Sequence, residues 1–128
     1  MVSQKRKFGD FGERIAEEYL EKKGYRVIEK NYQKPWGEID IVCRKDSRVI
    51  FFEVKTRDKK HVEHYPVESA VNRNKIRKLQ KICETYLSDR RYDNNQEWQI
   101  DVLAISIDKE RMKARVNHVE NAVWGRVY

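Results

Sequence analysis

The chain has little cysteine, proline or glycine: two, two and five residues of 128. Cys43 and Cys83 sit in apolar patterns, with no CxxC or Cys/His ligand spacing. That excludes a disulfide scaffold and a four-ligand structural zinc site, and it predicts free, buried thiols suited to a reducing compartment. So few prolines and glycines leave no linker or low-complexity tract to divide the chain. Long apolar runs are missing too. Purely apolar runs such as Val49-Ile50-Phe51-Phe52 stop at four residues, against the roughly 20 residues a membrane helix needs. Met1 to Lys7 is basic but leads into Phe8-Gly9-Asp10 rather than an apolar stretch, so no secretory leader is expected and the protein is expected in the cytoplasm.

What is abundant is charge. Lys and Arg number 28 against 21 Asp and Glu, a net +7 that the two halves share almost evenly. An excess of this size favours a polyanionic partner and says nothing about fold or chemistry. The 39% apolar content and 11% aromatic content suffice for one core, so residues 1–128 are expected to form a single domain.

Hydrophobic periodicity gives the order αβββαββ. A first helix is predicted from about Asp10 to Lys23, closed by Gly24, with Phe11, Ile15, Ala16, Tyr19 and Leu20 on one face. Glu13 falls at the border of that face. Strands are predicted over Tyr25–Tyr32, Glu38–Lys45 and Arg48–Arg57, joined by short turns into an antiparallel meander. Alternation puts Ile39, Ile41 and Cys43 on one face of the second strand, and Glu38, Asp40 and Val42 on the other. In the third, Val49, Phe51, Glu53, Lys55 and Arg57 oppose Ile50, Phe52, Val54 and Thr56.

A charged loop over Asp58–Tyr65 precedes a second helix, predicted from near Pro66 to about Leu87. Ile76, Leu79, Ile82, Cys83, Tyr86 and Leu87 form its apolar stripe, opposite Arg73, Arg77, Lys78 and Lys81. Lys75 interrupts the apolar arc, either snorkelling outward or reaching over the sheet to a phosphate. After a polar loop, Trp98–Asp108 and Lys113–Val119 read as strands. A strand–helix–strand passage implies a parallel pair, so the fold class is α/β, a mixed sheet flanked by helices.

The cluster that carries chemistry is Gly37-Glu38-Ile39-Asp40, then twelve intervening residues, then Glu53-Val54-Lys55. Glu53 and Lys55 leave the same face of one strand. Asp40, on the neighbouring strand, comes roughly 5 Å from Glu53 in Cβ terms. Two carboxylates so close repel unless a proton or cation lies between them. Oxygen ligands at that separation suit Mg²⁺ or Mn²⁺. A lysine beside them supplies positive charge where a phosphodiester transition state gathers negative charge. The alternative is a set of ordinary ion pairs, Glu53–Lys55 and Asp40–Lys55, on a sheet face. Against it stands the apolar flanking of both acids, since central strands seldom carry charges.

The arrangement of Asp40, Glu53 and Lys55 resembles the PD-(D/E)XK nuclease motif. The whole chain is similar to the small bacterial YraN-like family, which is related in pattern to archaeal Holliday junction resolvases. The matching pieces include Gly9-Asp10-Phe11-Gly12-Glu13, Gly37-Glu38-Ile39-Asp40, Phe52-Glu53-Val54-Lys55-Thr56-Arg57, Lys75, Asp101-Val102 and His118-Val119-Glu120-Asn121-Ala122. The Pro-Asp dipeptide of the wider superfamily is absent; Ile39 precedes Asp40, and Pro35 lies five residues before it.

The resemblance implies a restriction-endonuclease-like αβββαβ core. It implies Mg²⁺ or Mn²⁺ held by Asp40, Glu53 and the Val54 carbonyl, with Glu13 completing the acidic cluster and Lys55 acting on the water or the phosphorane. The activity it implies is hydrolysis of DNA phosphodiester bonds, with branched DNA as one substrate; a non-catalytic nucleic-acid-binding or adaptor protein on the same fold is the rival reading. Contacts to phosphates are expected from an arm, Lys5, Arg6 and Lys7, and from Arg57, Arg73, Lys75, Arg77 and Lys78. Cutting a branched substrate would require a homodimer of so small a chain, although no heptad seam marks an interface. Asp101, between Ile100 and Val102, is expected to pair with a core Arg or Lys or to orient Lys75. His61 and His64 are expected in a solvated loop, and His118 in a structural role.

Overall fold

The computed structural model describes the backbone of residues 4–59 and 73–122, and the side chains of 9–59 and 74–122. The elements run α1 (Gln4–Lys22), β1 (Arg26–Lys34), β2 (Gly37–Lys45), β3 (Arg48–Asp58), α2 (Arg73–Asp89), β4 (Trp98–Asp108) and β5 (Lys113–Val119). They form one five-stranded sheet in sequential order. Only β3 and β4 are parallel, being the pair that a helix separates; the other neighbours are antiparallel. The α/β reading therefore stands, with β4 and β5 matching their predicted bounds residue for residue.

Helix α1 ends as its sequence dictates. Gly24 adopts φ 89, the Tyr25 amide donates to the Leu20 carbonyl at 2.9 Å and the Gly24 amide to that of Glu21 at 3.1 Å. This is the Schellman pattern, which only a residue tolerant of positive φ closes cheaply. The helix starts six residues earlier than expected. Lys5, Arg6 and Lys7 are therefore part of α1, not an arm ahead of it, because Lys and Arg favour helix strongly enough to carry it across Gly9. Glu13 consequently lies in the body of the helix rather than in its first turn.

Each sheet face has its own core. Ala16 and Leu20 of α1 pack on Ile41, Cys43, Ile50, Phe52, Leu103 and Ile105. Ile82, Cys83 and Tyr86 of α2 pack on Tyr32, Ile39, Val42, Val49, Phe51 and Ile100. The alternation predicted for β3 and for the apolar stripe of α2 holds, and both cysteines are free and buried. One assignment fails: Ile39 joins Val42 on the α2 side, not Ile41 and Cys43. The pairing of β1 with β2 steps from Lys30–Ile41 to Tyr32–Ile39, and Asn31 between them has φ 55. That left-handed residue breaks the two-residue period opposite Asp40.

The Pro66 helix start, His61 and His64 lie outside the described residues. No described helix is long and apolar enough to cross a membrane.

Candidate metal centre

Strands β2 and β3 pair from Lys45–Arg48 up to Ile41–Phe52 and then part. Asp40 and Glu53 would form the next rung. Instead the Asp40 carboxylate takes over the ladder's role: its Oδ2 accepts the Val54 amide at 2.7 Å. A strand residue presents its N–H and C=O to the same neighbour, so the Val54 carbonyl also faces this gap. Around the gap Glu38, Asp40, Glu53, Val54 and Lys55 line a cavity of about 160 Å³, with Leu79 and Cys83 of α2 on its wall.

The acids in the gap are held in opposition. Burial pushes the Asp40 carboxyl up to about 7; the Val54 amide opposes this, while Glu38, Glu53 and Glu13 add their repulsion. Glu53 has a side chain only 11% exposed, and its Oε1 takes two ammonium groups, Lys55 Nζ and Lys75 Nζ, each at 3.0 Å. Its Oε2 is buried without a hydrogen-bond partner. Burial lowers the pKa of both lysines, and their contact makes one yield. Lys75 ends lowered, whereas for Lys55 burial is outweighed by Lys75, Glu53 and Asp40, which leave it raised.

These contacts fit a hard divalent cation. Such an ion is held by one or two carboxylates and carbonyl oxygens and keeps several waters, and it would take an orphaned carboxylate oxygen that protein donors leave free. Asp40, Glu53 and Lys55 come together as their spacing suggests, joined by Val54 and, from α2, by Lys75. Glu13 is half-buried in α1, with its carboxyl raised by burial and then by Asp10 and Glu38, against Lys30. It acts on Asp40 through its charge but does not bring a third carboxylate into ligand range there.

Glu38 was not anticipated as a site residue, although its place in the same Gly37-Glu38-Ile39-Asp40 motif would have signalled it. Lys75 explains its break in the apolar stripe: it turns toward Glu53. Of the basic residues, Arg77 and Lys78 are exposed and Arg57 is partly buried. The side chains of Lys5, Arg6, Lys7 and Arg73 lie outside the described set.

A second polar cluster sits on the other side of the sheet. Asp101 is fully buried; its Oδ1 accepts from Gln99 Nε2 and the Asn121 amide, each at 2.8 Å, and its Oδ2 lies 2.7 Å from His118 Nε2. Asp101 thus pairs with neither a core Arg or Lys nor Lys75. It projects to the α1 side with Leu103, whereas Lys75 comes from α2 across the sheet. His118 is wedged among Tyr19, Tyr25 and Phe52, which is the structural role expected of it. Among the described residues, Asp101, His118 and Glu120 form the group of three whose ligand atoms lie within 4.8 Å of one another and that could bind a metal ion. Both Asp101 oxygens are already engaged, so this cluster first serves to fasten β5 and the turn after it to β4.

Comparison with known proteins agrees with the motif reading. The model of an uncharacterised protein family, UPF0102, matches residues 12–105. A UPF0102 protein of Syntrophomonas wolfei is 40% identical over 118 residues, covering 91% of this chain and 97% of the relative. One of Alkaliphilus metalliredigens is 40% identical, covering 89% and 95%. One of Roseiflexus castenholzii is 32% identical, covering 96% and 98%. With the motifs, the fold and near full-length relatives in accord, the chain belongs to the uncharacterised protein family UPF0102, the YraN-like family.

Proposed function

We propose that this chain is a metal-dependent endonuclease that hydrolyses DNA phosphodiester bonds. The observation that carries the reading is the parted rung. Two carboxylates face each other at a break in the β2–β3 ladder, one holding its proton to about pH 7 and the other with an unpartnered buried oxygen. Asp40, Glu53 and the Val54 carbonyl would hold Mg²⁺ or Mn²⁺, with Glu13 and Glu38 adding negative charge from further out. When bound, such an ion activates water and offsets charge on a phosphate.

The chain's own groups do the rest. The Val54 amide fixes the orientation of Asp40 through its hydrogen bond. Lys55 and Lys75 hold Glu53 by Oε1 and so leave Oε2 toward the cation. Lys55, rooted on the same strand face as Glu53, also places a positive charge where a pentavalent phosphorane accumulates negative charge. The exposed Arg77 and Lys78 of α2 supply backbone contacts to flanking phosphates, and Lys5, Arg6, Lys7, Arg57 and Arg73 extend the same basic excess. Reading a branched substrate with two scissile strands would call for a homodimer.

Cleavage of linear and branched DNA oligonucleotides with Mg²⁺ or Mn²⁺ tests this. Wild type is expected to cut, while Asp40→Ala and Lys55→Ala fall by at least about 100-fold, the scale lost with one electrostatic stabiliser. Equal background cleavage by all three would sink the hydrolase and leave a non-catalytic binding protein on a nuclease fold. That second reading draws on the two ammonium groups already neutralising Glu53.

A further inference from the structure

Trp36 is hard to account for as packing. It sits at the tip of the β1–β2 hairpin, in the two-residue turn Pro35-Trp36 that joins the paired Lys34 and Gly37. It remains 40% exposed; among the described residues only Phe11, Trp36 and Met112 are large apolar side chains so open to water. Proline fixes one backbone angle of the turn, so the indole is presented on a stiff support rather than a loose loop.

Its surroundings are those of a nucleic-acid contact. Lys81 Nζ lies over the indole ring, 4.8 Å from the centroid, and Lys81 belongs to the basic outer face of α2 with Arg77 and Lys78. Two residues after Trp36, Glu38 lines the acidic cavity. The hairpin lies close against α2: an added Cβ at Gly37 would come 3.3 Å from the Ile82 Cδ1 atom. An exposed aromatic plane thus stands at the hairpin tip, two residues from the cavity-lining Glu38 and with the Lys81 ammonium over its ring.

We infer that Trp36 is a stacking platform for an unpaired nucleobase next to the scissile phosphate, so that the site selects DNA carrying single-stranded nucleotides at the point of cleavage. A base within an intact duplex offers its face only to its neighbours, whereas an unpaired base can stack on an aromatic side chain whatever its identity. The cations of α2 hold the phosphates that follow. This inference rests on the nuclease reading for its scissile phosphate, but its binding component is measurable without turnover.

The test uses the full chain without divalent ion, a 20-mer duplex, and the same duplex with a three-nucleotide gap containing 2-aminopurine. Wild type is expected to bind the gapped DNA more tightly and to quench the probe. Trp36→Ala is expected to lose about tenfold in affinity for gapped DNA, the scale of one aromatic stack, with less than a twofold change on duplex. Trp36→Phe should retain most of the selectivity, while Lys78→Ala should weaken both DNAs alike. Loss on both DNAs in Trp36→Ala, or on neither, overturns the platform; the latter is also the outcome if Trp36 docks a protein side chain. Gap selectivity without Mg²⁺- or Mn²⁺-dependent cleavage would overturn hydrolysis alone. Cleavage dependent on Asp40 but without Trp36 selectivity would overturn the platform alone.

Discussion

Asp40 holds its proton to about pH 7 because burial outweighs the Val54 amide and three other acids add their repulsion. The direction of its linkage to stability follows. Below about pH 4 the carboxyl is protonated folded or unfolded. Between about 4 and 7 the unfolded chain releases the proton and the folded one retains it, so stability falls as pH rises, and above 7 the loss is complete. The shift corresponds to about 4 kcal/mol at most. Denaturant titrations in chelator at pH 4.5, 6 and 7.5 should show this loss in wild type and its absence in Asp40→Asn. Equal pH slopes would remove Asp40 as the source. The same acids were legible as a pair in the sequence, since each interrupts an apolar strand pattern. Their partners were less so. Glu38 stood inside the same motif but was given no role, and that Asp101 pairs with His118 depends on two strands meeting from 17 residues apart.

At the scale of elements, α1 is positioned by a glycine rather than by its apolar stripe alone. A Cβ at Gly12 would lie 1.9 Å from Thr56 Oγ1 and 2.8 Å from Thr56 Cβ on β3. The helix therefore crosses the sheet three residues beyond Glu53, and Glu13 follows directly. Gly12→Ala is expected to cost about 1–3 kcal/mol through overpacking, despite alanine's better helix propensity. The check is a lowered denaturant midpoint with an unchanged slope; an unchanged midpoint would mean that the helix can withdraw without cost. Periodicity gave the strands, both helix stripes and the Gly24 stop, because these are local properties. It misplaced the start of α1 by taking Asp10 for the boundary, when helix-favouring residues carry the helix back to Gln4, and it misassigned Ile39, because Asn31 takes a left-handed turn that no alternation rule anticipates.

For the whole molecule, the sequential strand order with one parallel pair follows from chain connectivity: short turns give antiparallel neighbours and the single helical crossover gives the parallel one. This much was readable in advance. The break between β2 and β3 was not, because it is a departure from regular pairing at the place where the function is proposed. Net charge was similarly coarse; +7 describes the total and conceals an acidic gap beside basic α2.

That break also turns one backbone group into an observer of the site. The Val54 amide gives its proton to a carboxylate where a ladder would have offered a peptide carbonyl, and a peptide carbonyl does not titrate. In an amide-resolved NMR titration, the Val54 resonance should move with a midpoint near pH 7, while amides in the regular part of β3, such as Ile50, stay nearly still. Adding Mg²⁺ at pH 6 should shift it in the same sense as raising the pH, since both remove the proton from Asp40. A Val54 signal indifferent to both would mean that the carboxylate it contacts is not the one that changes charge.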